Sequence, residues 1–311
     1  MLDSVDEVIT YDVPWIKTVN TSGPESLYHL VDILKKKQFD AAVIFTVFSQ
    51  NPLPAALTTY LAGIPQRMAY CRENPYELLT HWVPDKEPYS MIRHQVERDL
   101  YLASQTGACI KHKEITLMVE EEWKLNATKK LRSLGLRTEE PWIILHPGVS
   151  EKKRQYPADK WISIGKRLTK EQGLQLIITG TATEKSLCQS IASGIEHRAI
   201  NAAGIFSLKE FTALVKMSSL VLSVNTGTVH IASAVQTPVI VLYAMTNPQH
   251  TPWMVENKVF HFPVEPGLRS SNEVLKFLQQ QYDDVEIEWP DETKIVEAAL
   301  EMLREEHASL R

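Results

Sequence analysis

Two clusters in this 311-residue sequence have residue types and spacings suited to holding a phosphate-bearing ligand. The first is Asn225-Thr226-Gly227-Thr228 with His230, set between the apolar run of Val221, Leu222 and Val224 and a helix-compatible stretch over 229–235. Asn is a good helix N-cap, because its side-chain oxygen accepts from the free N–H groups of the first turn. Gly227 has no Cβ, so a ligand can approach its backbone closely. Unpaired N–H groups and the helix dipole make such a turn an anion site, and His230 in the first turn is placed to donate to a phosphate. A plain strand-to-helix connection with a capping Asn and a half-buried His fits the same residues. The second cluster is the basic run Lys152-Lys153-Arg154. It is either a solvated face or, at the edge of a sheet that binds ligand, a means of neutralising a diphosphate.

The elements that must position these residues follow from apolar patterning. From Trp142 onward, buried-type strands over 142–145, 174–179, near 199–200, 221–224 and 239–243 alternate with helical stretches over 158–171, 184–193, 207–217 and 229–235. Strands alternating with helices of this length specify a parallel sheet with helices on both faces. Ligands of such sheets sit outside the carboxyl ends of the strands. The loops expected there are His146-Pro147-Gly148, Thr179-Gly180-Thr181, 201–204, Asn225-Thr226-Gly227 and Thr246-Asn247-Pro248, all polar or Gly-containing. Residues 1–118 form a separate α/β region with a strand end at 7–11, helices over 25–37, 54–62 and 89–104, strands over 40–47 and 66–70, and a long loop over 74–88. Residues 119–141, charged and helical, are expected to connect the two regions. A final helical pattern over 291–304 is expected to cross between them or to cap the second sheet.

Composition narrows the class. The chain is 44% apolar and 23% charged with net charge −5, which is that of a globular protein and argues against a broad nucleic-acid footprint. No apolar run reaches membrane-spanning length, and the acidic opening residues lack a signal-peptide core, so a cytoplasmic protein is expected. Cys71, Cys109 and Cys188 are too dispersed for a disulfide framework or a metal site. Asn126-Ala127-Thr128 matches a glycosylation acceptor but has no export signal to give it meaning. The sequence has no GxGxxG, HExxH or GxSxG, and residues 179–186 miss both P-loop glycines, at Thr179 and Glu184.

Taken in order, HPG-x8-P-x3-W, then TG-x3-E, then SVNTGTVHIASA-x3-P-x4-Y-x2-TNP resemble the heptosyltransferase-type enzymes of glycosyltransferase family 9. The resemblance is strongest over about 140–255. It implies the GT-B architecture of two Rossmann-like parallel-sheet domains: an incomplete acceptor-side domain over 1–118, a connection over 119–141, and a nucleotide-sugar domain over 142–311. It further implies inverting, metal-independent sugar transfer with no cofactor. The donor would be an ADP-heptose-like nucleotide-diphosphate sugar, and the acceptor a lipopolysaccharide or other lipid-linked or polysaccharide glycan, with peripheral association at the inner membrane face. By the same resemblance, Asn225, Thr226, Gly227 and His230 cradle the donor diphosphate, and Arg154 neutralises phosphate or holds the donor sugar. Ser150 matches a hydroxyl position in the same loop, Glu184 holds the ribose and Phe206 flanks the base; as residues alone, Glu184 fits a first-turn helix acid and Phe206 fits core packing better than a base contact.

Two departures stand out. Asn225 replaces the family's usual Asp, and no Gly-Asp pair, the family's expected source of a general base, occurs anywhere in the sequence. The family's first βαβ is therefore expected to be missing, and no catalytic base is assigned. A nucleotide-sugar binder without turnover, or a half-enzyme needing a partner, fits that departure. A nucleotide-sugar 2-epimerase would need an acid and base pair of its own.

Overall fold

The structure, a computed structural model, describes residues 5–16, 23–244, 248–268, 273–281 and 288–309. The chain forms two units, one of 3–113 with 271–282 and one of 114–270 with 283–311.

The first unit carries α1 (Pro24–Lys37), β1 (Ala41–Ile44), α2 (Leu53–Leu61), β2 (Gln66–Cys71), β3 (His81–Pro84) and α3 (Gln95–Ser104). Its sheet is parallel, in the order β1-β2-β3. Met68 and Tyr70 pack toward Leu102 of α3 on one face, while Ala69 and Cys71 pack toward Ala56 of α2 on the other. At the carboxyl edge, Arg98 of α3 is buried and bound bidentately by Asp85, at 2.9 and 2.7 Å. Its guanidinium also lies 4.1 Å from the centroid of the Tyr70 ring.

Three expectations for this unit are corrected. Residues 7–11 form no strand. The loop expected over 74–88 contains β3, paired with β2 from Met68↔His81 onward. The helix expected over 89–104 begins only at Gln95, where His94 caps it through a bond from the Val96 N–H.

The second unit runs α4 (Glu121–Ser133), β4 (Trp142–His146), α5 (Ala158–Gln172), β5 (Gln175–Ile178), α6 (Lys185–Ile195), β6 (Ala199–Asn201), α7 (Leu208–Met217), β7 (Leu220–Val224), α8 (Gly227–Val235), β8 (Val239–Ala244) and β9 (Asn257–Phe262). Next come α9 (Glu273–Gln281), which groups with the first unit, and α10 (Glu292–Ser309). The six strands are all parallel, in the order β6-β5-β4-β7-β8-β9. Alternate residues serve opposite faces. Ile143, Leu145, Leu176, Leu222 and Leu242 meet α5, α6 and α10, whereas Ile144, Ile177, Val221 and Val241 meet α4, α7 and α8. Both faces are covered, which is why these strands are continuous apolar runs. Each fully buried Ile or Leu contributes about 1.5–3 kcal/mol relative to exposure.

Residues 119–141, expected as a connection, group with the second unit. Within them, α4 buries Trp123 and Ala127 against Ala213 of α7, and Lys130 pairs with Glu210 at 2.7 Å. Within 142–311, residues 271–282 group with the first unit. The closing helix α10 lies on its own sheet, with Ile295, Ala299 and Met302 in the core and Glu292 2.9 Å from Lys160 of α5.

Candidate functional site

In the larger sheet the chain runs outward from β4 through β5 to β6, then returns to the other side of β4 for β7. The direction reverses between β4 and β7, and the loops leaving those two strands part to leave a crevice at their carboxyl ends. A pocket of about 600 Å³ lies at the ends of these strands, within the range of small-molecule sites. It is lined from four segments: His146, Gly148, Val149, Ser150 and Arg154 after β4, Thr181, Thr183 and Glu184 after β5, Asn225, Thr226, Gly227 and His230 at the β7–α8 turn, and His250 after β8.

The β7–α8 turn opens on an N-cap that makes no side-chain bond. Thr226 is the N-cap in extended backbone, and its side chain makes no capping bond. Its hydroxyl instead lies 3.5 Å from Ser223 Oγ. The first-turn N–H groups therefore receive no acceptor from the cap side chain. A Cβ added to Gly227 would meet nothing within 4 Å, so the protein's own packing does not require glycine there. Asn225 is buried between strand and helix.

The loop after β4 is pinned at its far end. Tyr156 is buried in an aromatic cluster with Trp161, Phe262 and Trp289, at centroid distances of 5.6, 5.4 and 5.7 Å. Just before this anchor, the turn Lys152–Arg154 points only one of its three cations into the pocket. Lys153 pairs with Glu151 at 2.7 Å. Arg154 donates from Nη1 to the Asn225 carbonyl at 3.4 Å, and its Nη2 lies 3.1 Å from Glu151. The buried Arg154 Nε–H has no acceptor among the described residues. A shift of the side chain onto a ligand oxygen would supply one.

Glu184 faces the pocket from the β5 side. Its Oε2 accepts from the Thr181 N–H at 2.6 Å and the Thr181 hydroxyl at 2.8 Å, closing a capping box on the turn Ala182–Glu184 that leads into α6. The carboxylate lies directly over Gly148, where any Cβ would come within 2.4 Å of it. His146 is held by a 2.8 Å bond between Nδ1 and Thr179 Oγ1 and by the Phe211 ring. Burial lowers its pKa to about 4 against the opposing pull of Glu184, so the imidazole is neutral near pH 7.

Seven of the eight residues expected to form the site converge here. Phe206 is the exception: its ring packs into the α4–α7 cluster near Trp123 and Ala213, with Lys130 5.8 Å from its centroid. A base-flanking role is not supported by that position. His146, Gly148, Val149, Thr181, Thr183 and His250 line the pocket without having been singled out as contact residues. For all but Val149, Thr183 and His250 the signal was present in the expected carboxyl-edge loops. Thr246 and Asn247 lie outside the described residues. No cluster of three or more His, Cys, Asp or Glu with metal-binding geometry occurs among the described residues.

Two parallel-sheet α/β units in one chain, with a crevice at the strand reversal of the larger, are the GT-B class of fold. The family model for glycosyltransferase family 9 (heptosyltransferase) matches residues 27–270, and the chain belongs to that family. The lipooligosaccharide heptosyltransferase 2 of Haemophilus influenzae is 27% identical over 228 residues, covering 70% of this chain and 64% of that protein. The chain thus spans a little under two thirds of that relative's length. Among solved structures, a family 9 glycosyl transferase from Veillonella parvula superposes with TM-score 0.72 at 15% identity, covering 92% of this chain and 81% of that one. The ADP-heptose lps heptosyltransferase II of E. coli does so with TM-score 0.67 at 21% identity, covering 91% and 82%. No helix among the described residues is long and apolar enough to cross a membrane.

Proposed function

We propose that this chain is a glycosyltransferase whose larger unit holds a nucleotide-diphosphate sugar of the ADP-heptose type, for inverting transfer to a lipopolysaccharide or related cell-envelope acceptor. The carrying observation is the convergence, at the strand reversal, of Arg154, the open first turn of α8 and His230 on one side of a pocket with Glu184 on another. The diphosphate lies against Gly227 and Thr228, with His230 and Arg154 completing its charge compensation, while Glu184 accepts from the ribose hydroxyls. Its Oε1 takes part in neither capping bond and is the oxygen offered. Cleavage of the glycosidic C–O bond leaves negative charge on the diphosphate. Preorganised N–H donors and a cation at that point lower the barrier, and this supports a reaction that uses protein donors in place of a metal ion.

Incubation with a panel of nucleotide sugars and heptose-deficient lipopolysaccharide, with and without EDTA, tests the reading. Transfer from one donor class, insensitive to EDTA and lost in Arg154→Ala, is expected. Failure to bind any nucleotide diphosphate sugar overturns it.

One observation favours a second reading, donor binding without turnover by these 311 residues alone. No Gly-Asp pair is present to supply the acceptor-activating base. Tight donor binding with no product from any acceptor supports that alternative, and measured turnover excludes it.

A further inference from the structure

Three of the chain's ten histidines line this one pocket, and they differ in kind. His146 is tied to Thr179 and kept neutral by burial. His230, in the first turn of α8, and His250, in the turn Pro248–His250, approach from different segments. Their rings stand nearly perpendicular, at 83°, with centroids 6.5 Å apart. That spacing is within the range of edge-to-face ring contact, so the two imidazoles reach the same part of the pocket from different segments.

We infer that His250 is a second phosphate-contacting imidazole, which acts together with His230 on the diphosphate of the bound nucleotide. The inference rests on the proposed position of the diphosphate at α8. Fixed charges of both signs line the pocket with the pair. Arg154 is the cation that lines the pocket, and its partner Glu151 also serves Lys153. Glu184, the pocket-lining carboxylate, is held by Thr181 on the β5 side. Two neighbouring imidazoles oppose each other's protonation in the absence of ligand. An anion that both contact favours the charged form of both. Imidazole titrates near neutrality, so binding of a diphosphate takes up protons and tightens as pH falls from 8 toward 6. Adenosine, which lacks the phosphates, has no such dependence.

Isothermal titration calorimetry of the full chain tests this, with ADP and adenosine as probes between pH 6 and 8 in buffers of different ionisation enthalpy. His250→Asn is expected to weaken ADP binding about ten-fold at pH 6.5, the low end for a hydrogen bond to a charged group. It is also expected to reduce the protons taken up per ADP relative to wild type, leaving adenosine affinity unchanged. His230→Asn behaves likewise, and the double variant loses less than the product of the two single losses. Wild-type ADP affinity and proton uptake in His250→Asn overturn the inference, as does an equal loss for adenosine. If that variant does not fold, the His250 Cε1–H resonance of the wild-type chain is followed by NMR. A shift with ADP but not adenosine supports the contact, and no shift refutes it. An inert His250 alongside a responsive His230 sinks this inference alone, whereas a wild-type chain that binds no ADP sinks it together with the reading of the pocket.

Discussion

Gly227→Ala separates ligand binding from folding. The residue opens α8, its φ is not in the left-handed region, and an added Cβ meets no atom within 4 Å. The folded chain should accept alanine without strain. The substitution removes backbone freedom from the unfolded state and should stabilise by about 0.4–1 kcal/mol. Binding should move the other way. A phosphate oxygen accepting from the first-turn N–H groups must come to about 2.9 Å, and a methyl group on that side holds it at about 3.5 Å or more. Losing one charge-assisted hydrogen bond costs about 1.5–3 kcal/mol, which weakens ADP binding about ten- to hundred-fold. Melting temperature is read by differential scanning fluorimetry without ligand, and affinity by calorimetry. An equal or higher melting temperature with a clearly weaker ADP affinity is expected. An equally stable variant that binds ADP within two-fold of wild type would show that no phosphate touches this turn.

Three further outcomes follow from particular contacts. Gly148→Ala drives its Cβ into the Glu184 carboxylate and should break the Thr181 capping box, costing about 1 kcal/mol and weakening adenosine binding, as measured by melting and by calorimetry. For His146 the folded pKa of about 4 lies below the ordinary value near 6.5, so the unfolded chain binds the proton first. Stability should then rise with pH across about 4–6.5, by about 1–3 kcal/mol. His146→Gln should flatten that rise in melting temperature, and an unchanged pH profile would refute the assignment. Asp85→Asn leaves the buried Arg98 with Glu87, 3.5 Å away, as its one remaining carboxylate partner among the described residues; it should destabilise the first unit by about 3 kcal/mol, seen as an earlier unfolding step in far-ultraviolet circular dichroism.

The larger sheet was legible because β4, β5, β7 and β8 are apolar runs punctuated by Gly, Pro and Asn, and their carboxyl-edge loops could be named before the pocket was seen. β9 escaped notice because its residues Asn257 and Lys258 are exposed and polar, as an edge strand allows. β3 escaped because His-Trp-Val-Pro is four residues long and mostly exposed. Helix α4 looked like a connection because its outer face is charged, and only three-dimensional packing reveals the buried Trp123, Ala127 and Leu131 on the other. His250 was missed although it stands two residues after the Thr246-Asn247-Pro248 edge loop, because the family-like motif ends at Pro248. Phe206 matches a family motif position, and its ring packs into the α4–α7 cluster, as the core alternative for it expected.

Helix α9 has a practical consequence. Its Glu273 accepts from the Tyr89 hydroxyl and lies 3.4 Å from Arg72, and its Phe277 packs edge-on against Tyr89. The polypeptide returns to the first unit for these few residues and then leaves again. A single scission near residue 113 therefore cannot yield two self-sufficient fragments. The leading fragment would lack a helix it packs against, and the trailing one would carry Val274 and Leu275 with nothing to cover them. Expressing the halves separately should give soluble material only when 273–281 is grafted back onto the leading piece.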